Sequence, residues 1–165
     1  MKANTLSLTR TALFTALVFL ATFIPHIPIP LGYAHLGDAV IFLLAFLFDR
    51  KEAMLAACLG SMLSDLLSGF PLWAVPTLII KAGMVWIIWR LVPDGKVVSK
   101  ARQIVAMLCS SLWMAVAYTL FGAVLAASLV AGLASFPGLA MEGIVNTIVA
   151  VLLLPALARA VHSFH

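Results

Sequence analysis

Apolar runs recur along the chain and are separated by short segments that are polar or rich in Pro and Gly. Because runs of this length favour helices, the pattern predicts six helices, and Pro76 lies in the first turn of the fourth. Pro25 should stop the first helix, and Pro155 should fray the end of the last. The predicted ranges are 8–24, 34–48, 52–67, 76–91, 102–130 and 138–157. Several are shorter than about 20 residues, so we expect tilted helices or a locally thinned bilayer.

Composition places these helices in a membrane. Of the 165 residues, 64% are hydrophobic and 10% are charged, and the mean hydropathy is +1.17. A water-soluble domain of this size cannot bury so much apolar surface. No A-x-A cleavage site follows the first run, so we interpret it as a retained helix. The expected fold is therefore a single all-α membrane domain, residues 1–165, with six transmembrane helices.

Basic residues divide the connections into two kinds. Ten Lys and Arg residues are present, and Lys81 is the one within a predicted helix interior. The 1–2, 3–4 and 5–6 loops contain none, so the positive-inside rule predicts that both termini are cytoplasmic. The remaining basic residues lie in the termini and the other loops: Lys2, Arg10, Arg50, Lys51, Arg90, Lys96, Lys100, Arg102 and Arg159.

The loops without basic residues share a second property. They read PHIPIPLGY, SGFPLWAVP and AGLASFPG, and they combine Pro and Gly with aromatic residues. Such loops either fold over the outer end of a cavity or simply connect helices, with Trp and Phe anchored at the membrane interface.

Four charged residues interrupt the predicted spans: Asp38, Asp65, Lys81 and Glu142. At about 1.5 Å per residue, they lie roughly 14 to 25 Å from the cytoplasmic ends of their helices. Charges inside spans usually face the bundle interior and serve a function. Because the cytoplasmic half has no matching polar set, we predict an outward-facing pocket for a small, polar, ring-shaped ligand.

Two other interpretations of these charges stay open. Lys81 paired with Asp38, Asp65 or Glu142 would hold the bundle together without binding a ligand. Lys81 is either a direct ligand contact or only the partner of a buried acid.

Several function classes receive no support from the sequence. A P-loop, an HExxH motif and a Ser/His/Asp order are missing, and the basic residues form no nucleic-acid-binding patch. Cys58 and Cys109 are interpreted as small apolar residues, and the spacing of His26, His35 and Asp38 does not indicate a metal site. We therefore expect no bound cofactor, no metal and no nucleic-acid partner.

The first predicted helix carries no interior charge but has small residues at Ala12 and Ala16. This small-xxx-small spacing lets another helix approach closely. The approaching helix could belong to the same bundle or to a separate membrane subunit.

Five segments together resemble the substrate-binding S components of energy-coupling factor (ECF) vitamin transporters. They are the AxxxA of the first helix, GYAHLGDAV, SDLLSGFP, PTLIIKAG and FPGLAMEGIVN. The chain looks most similar to the hydroxymethylpyrimidine/pyridoxine type. The resemblance implies a prokaryotic cell-membrane protein of six helices with a vitamin site near the outer surface. It also implies docking of the first helix onto a transmembrane coupling subunit that two ATPase subunits drive.

One departure concerns the ligand. Related chains often carry glutamine on the sixth helix, where this chain has Glu142. We therefore expect a donor-rich ligand, hydroxymethylpyrimidine or a B6 vitamer such as pyridoxine or pyridoxamine, ahead of thiamine or riboflavin. The alternatives are a stand-alone ion-coupled carrier and a small intramembrane enzyme that uses Asp65 or Glu142 as a base. The expected ligand-binding residues are His35, Asp38, Asp65, Trp73, Lys81, Tyr118, Glu142 and Asn146.

Overall fold

The structure is a computed structural model that describes residues 5–92 and 98–163. Lys2 and Lys96, which the charge pattern assigns to the cytoplasmic side, lie outside the described residues. A two-stranded hairpin follows the first helix, and a 3-10 turn, Pro71–Trp73, precedes the fourth. The six helices of the described part are α1 (Thr5–Phe23), α2 (Gly37–Leu47), α3 (Arg50–Leu67), α4 (Ala74–Leu91), α5 (Lys100–Leu125) and α6 (Leu129–Ser163).

The helices pack as a ring in the order α1, α3, α4, α5, α6 and α2, with α2 closing the ring against α1. Helix α2 also contacts α3 and α4, so it is the most enclosed helix of the bundle. Its apolar side chains form the centre of the core, where Ile41 and Phe42 are fully buried. A helix that is apolar on all sides is expected at such a position.

Four of the described helices, α1, α4, α5 and α6, are long and apolar enough to cross a membrane. Helix α2 has 11 residues, so it extends about 16 Å, roughly half of the ~30 Å hydrocarbon core. Helix α3 begins with three charged residues, Arg50, Lys51 and Glu52. The helices therefore indicate a multi-pass membrane protein, while six complete crossings and cytoplasmic termini stay predictions.

The connection between α1 and α2 is a β-hairpin rather than a simple loop. Strand β1 (Ile27–Ile29) pairs antiparallel with β2 (Gly32–Ala34), and Ile29 lies opposite Gly32. Pro30 and Leu31 form the turn, in which Leu31 has a φ of 63°. The predicted start of the second helix at residue 34 was wrong, because β2 occupies that position and α2 begins at Gly37.

The prediction for the connection between α5 and α6 was also wrong. The segment AGLASFPG, interpreted as a loop, lies inside α6, and residues 126–128 make the connection. Its glycines allow close helix packing and do not form a turn. A Cβ on Gly132 would lie 2.6 Å from the Thr119 carbonyl oxygen, and a Cβ on Gly138 would lie 2.7 Å from the Ile29 side chain. Likewise, α6 continues through Pro155 to Ser163 instead of fraying there.

Replacement of Gly132 by alanine should destabilise the bundle by about 1–3 kcal/mol, because the added methyl group meets the backbone of α5 rather than a movable side chain. Thermal unfolding of the purified protein in a mild detergent would measure the loss. Gly32→Ala is the matched control, since a Cβ at Gly32 has no neighbour within 4 Å. Equal unfolding temperatures for the two variants would contradict the close approach of α5 and α6.

Candidate functional site

An ion pair between α4 and α2 lies at the base of the site. The Lys81 ammonium donates a hydrogen bond to Oδ1 of Asp38, and both side chains are essentially inaccessible to solvent. Asp38 lies in the first turn of α2, where the helix dipole also favours a negative charge. Of the three acids that the sequence offered as partners for Lys81, Asp38 is therefore the one that pairs with it.

Asn146 joins α6 to the start of α2. Its side-chain amide donates to the carbonyl oxygens of His35 and Glu142, at 2.8 and 2.9 Å, and its oxygen accepts from the Ala39 N–H at 2.7 Å. The side chain is fully buried, so these bonds have no competition from water. Asn146 is thus a positioning residue that holds His35 beside Glu142.

His35 and Glu142 meet at the cavity wall, where the His35 Nδ1 lies 3.1 Å from the Glu142 Oε1. The same Nδ1 accepts a 3.2 Å hydrogen bond from the Gly37 N–H. Burial, together with the nearby Lys81 ammonium, lowers the pKa of His35 to about 3. The imidazole is therefore neutral at physiological pH, and its Nδ1 is unprotonated because it accepts from the Gly37 N–H.

Asp65 connects the hairpin to two helices. One carboxylate oxygen accepts from the Thr77 hydroxyl at 2.5 Å, and the other accepts from the Tyr33 hydroxyl at 3.0 Å. The Thr77 hydroxyl also lies 3.0 Å from the Tyr118 hydroxyl. Burial, followed by the charge of Asp65, raises the pKa of Tyr33 to about 12, so Tyr33 stays a neutral donor. These bonds fix β2 over the end of α3.

These groups surround a cavity of about 50 Å³ beneath the hairpin. Five of the expected ligand-binding residues line it: His35, Asp65, Trp73, Tyr118 and Glu142. The other three, Asp38, Lys81 and Asn146, are buried behind the wall and do not line it. Their place favours the alternative in which Lys81 holds a buried acid in position.

Sequence reasoning missed eight of the thirteen residues that line the cavity, and four of them show why. Tyr33 and Phe70 belong to the aromatic Pro/Gly segments, so their residue types were the available signal. Ser135 and Leu139 lie on α6, and the mistaken loop assignment hid Ser135. The Ser135 hydroxyl donates to the Pro30 carbonyl oxygen at 2.5 Å, which ties the hairpin turn to α6.

A second cavity of about 380 Å³ shares part of its wall with the first. Both are lined by Leu31, Phe70 and Trp73, which therefore form the partition between them. Leu31 and Trp73 also pack against Gly122 of α5, where the missing side chain leaves room for them. Displacement of these three side chains would join the two spaces.

The predicted docking residues Ala12 and Ala16 are exposed on α1. The opposite side of that helix carries Phe14 and Val18, which are buried against the bundle. Within the described residues, the two alanines therefore lie away from the bundle, and docking of this face onto another helix stays a prediction.

Comparison with known proteins identifies the family. A sequence profile of the ECF-type riboflavin transporter S component matches residues 2–159. The chain belongs to this family. The S-component resemblance is thereby confirmed, while the hydroxymethylpyrimidine/pyridoxine type stays a prediction.

A solved structure shows the same fold for an S component. It is described as "Structure and mechanism of the S component of a bacterial ECF transporter", with a TM-score of 0.74 and 20% sequence identity, over 93% of this chain and 95% of that chain. A protein of Pyrococcus woesei, described as "Uncharacterized protein in gap 3'region", is 42% identical over 66 residues. The aligned part spans 39% of this chain and 44% of that relative, so it covers less than half of either.

Replacement of Lys81 by methionine should destabilise this S component strongly, by about 3–5 kcal/mol, because Asp38 would be left buried without its counter-charge. Thermal unfolding in detergent would measure the effect. The double variant Lys81→Met/Asp38→Asn removes both charges and should recover much of the loss. Lys51→Met, at an exposed position of α3, is the control. A single variant as stable as the double variant would contradict a pairing role for Lys81.

Proposed function

We propose that this chain is the substrate-binding subunit of an ECF-type importer and captures a small B vitamin or vitamin precursor from outside the cell. The observation that carries the proposal is a cavity with aromatic and acidic side chains in its wall, beneath a hairpin, in a chain of the S-component family. In this role both termini face the cytoplasm of a prokaryotic cell, as the basic loops predict. The chain binds no ATP itself, because a transmembrane coupling subunit and two ATPase subunits supply the energy.

The chemistry of the cavity wall favours a single-ring heteroaromatic ligand with hydrogen-bond donors. Tyr33, Phe70, Trp73 and Tyr118 offer aromatic surfaces for stacking. Asp65 and Glu142 offer acceptor oxygens, and no Lys or Arg of the described residues lines the cavity. An anionic ligand such as a phosphorylated vitamer would find no basic side chain in this wall. Hydroxymethylpyrimidine, pyridoxine and pyridoxamine meet these requirements.

Riboflavin is the second candidate, because the family description names it. Ligand pockets usually measure about 300–1,000 Å³, so the inner cavity of about 50 Å³ must enlarge for any of these vitamins. A single ring requires a modest displacement of the roof. A three-ring flavin requires that the partition of Leu31, Phe70 and Trp73 move far enough to join both cavities.

Replacement of Glu142 by glutamine should weaken binding of hydroxymethylpyrimidine or pyridoxamine by roughly tenfold or more, because a hydrogen bond to a charged acceptor contributes about 1.5–3 kcal/mol. Isothermal titration of the purified protein with each vitamin would measure the affinities, with native mass spectrometry to name any retained ligand. Asp49→Asn changes an exposed acid that lies outside the cavity wall and should leave the affinities unchanged. Unchanged affinity of Glu142→Gln for every vitamin would refute the role of this acid, and tightest binding of riboflavin would favour the second candidate.

The exposed Ala12 and Ala16 are the proposed contact with the coupling subunit, because small residues let helices approach closely. The double variant Ala12→Leu/Ala16→Leu should abolish ATP-dependent vitamin uptake by the reconstituted complex in liposomes while vitamin binding by the isolated chain persists. Ala156→Leu, at another exposed position, is the control.

The same assay separates the alternatives. Uptake by the chain alone, without ATPase subunits, would indicate an ion-coupled carrier. Recovery of a chemically altered vitamin would indicate an enzyme. Uptake that the double variant leaves intact would contradict docking through α1.

A further inference from the structure

Three potential metal-ligand atoms converge at the cavity wall. They are Nδ1 of His35 and one carboxylate oxygen each of Asp38 and Glu142, and all three lie within 4.8 Å of one another. The residues come from three different places in the fold: the end of the hairpin, the first turn of α2 and the middle of α6. Asp38 and Glu142 are 0% and 5% exposed, so water does not solvate these acids freely.

Two oxygens in this cluster have unused hydrogen-bonding capacity. Oδ2 of Asp38 and Oε1 of Glu142 are buried, and neither receives a hydrogen bond from the described residues. In addition, Oε1 lies 3.1 Å from Nδ1 of His35, whose lone pair already accepts the Gly37 N–H. Buried acceptors without a donor are unfavourable, and when Glu142 is ionised its oxygen and the imidazole nitrogen also repel each other. A positively charged species between them would remove both penalties.

We propose that His35, Asp38 and Glu142 form a binding site for one divalent transition-metal ion, such as Zn²⁺ or Co²⁺. One imidazole nitrogen with carboxylate oxygens suits these ions, whereas Mg²⁺ and Ca²⁺ prefer oxygen ligands alone. Metal–ligand bonds of about 2.0–2.2 Å in a tetrahedral site place neighbouring ligand atoms roughly 3.3–3.6 Å apart. The three ligand atoms, which lie within 4.8 Å of one another, would therefore have to move closer together to bind a metal. The metal would then replace the Gly37 N–H as the partner of the His35 Nδ1.

Charge balance supports a divalent ion. When ionised, Asp38, Asp65 and Glu142 together carry three negative charges, and Lys81 is the buried cation beside them. Asp65 and Glu142 line the same cavity, so the whole set shares one poorly solvated region. Uncompensated charge is costly at this depth of a membrane protein. A divalent cation would bring the set to neutrality.

The surrounding structure gives the site both rigidity and access. Asn146 binds the backbone of His35, Ala39 and Glu142, so it fixes two ligands relative to the helix that carries the third. His35 and Glu142 also line the cavity. A metal held there would have a coordination position towards the cavity for water or for an oxygen of a bound molecule, as in metal sites that keep an open position.

Metal binding can be tested directly on the full chain. The protein would be prepared without a polyhistidine tag, stripped with a chelator, placed in lipid nanodiscs and titrated with Zn²⁺ or Co²⁺ alone. Calorimetry and elemental analysis should show one equivalent of metal. His35→Gln and Glu142→Gln should each weaken this binding by at least tenfold. His26→Gln, which changes an exposed histidine outside the cluster, should retain it.

A second measurement needs no variant and so does not depend on whether a variant folds. X-ray absorption at the zinc edge of the wild-type protein should show one imidazole among oxygen ligands. The proposal is overturned if no stoichiometric binding occurs, if binding survives both ligand variants, or if the zinc shell holds two or more imidazoles.

A proton in place of the metal would also overturn the proposal. Its signature is an infrared carbonyl band that Glu142→Gln removes and that Zn²⁺ leaves unchanged. Because these tests use metal alone, a negative result leaves the proposed vitamin binding untouched. If the protein fails to bind a vitamin, the metal titration can still be interpreted, because it contains no vitamin.

Discussion

The structure depends on one constraint: a charge buried in a membrane bundle must have a partner. Lys81 meets this constraint through Asp38, and the pair joins α4 to the central helix α2. Breaking such a pair from one side costs more than removing it altogether. The pair therefore fixes the height of α2 relative to α4, and the residues that precede α2, including His35 at the cavity wall, take their positions from it.

A second set of polar contacts holds the hairpin in place over the cavity, above the Lys81–Asp38 pair. Three hydrogen bonds hold the hairpin and the residue that follows it. The Tyr33 hydroxyl donates to Asp65, the Ser135 hydroxyl donates to the Pro30 carbonyl oxygen, and the Asn146 amide donates to the His35 carbonyl oxygen. Each point joins the hairpin to a different part of α3 or α6. Because single hydrogen bonds contribute only about 0.5–1.5 kcal/mol net, the roof is well located yet can be displaced locally without unfolding the helices below it.

Much of this arrangement could be predicted from the sequence. Apolar periodicity gave helices close to the observed ones in the first half of the chain, and membrane energetics identified Asp38, Asp65, Lys81 and Glu142 as interior residues. Five of the eight expected ligand-binding residues line the cavity. The role of Lys81 could not be predicted, because helical spacing gives a depth and a face but does not choose among three acids at similar height.

The errors have a common physical origin in Pro and Gly. These residues terminate helices by local preference, yet Gly132 and Gly138 serve close packing against α5 and the hairpin. The hairpin was missed for a related reason, because PHIPIPLGY contains no two-residue turn signal of the usual Asn-Gly kind. Tertiary contacts, which a single sequence does not display, decided both cases.

The turn at Leu31 has a mechanical consequence. Its φ of 63° is a backbone conformation that L-residues adopt at a cost of roughly 1–2 kcal/mol. The leucine side chain compensates by packing against Gly122 in the partition between the two cavities. Withdrawal of that side chain would remove the compensation and let the backbone return to an ordinary conformation. The turn is therefore in a strained conformation that is stabilised while Leu31 occupies the partition, so opening of the partition would relax the backbone of the hairpin.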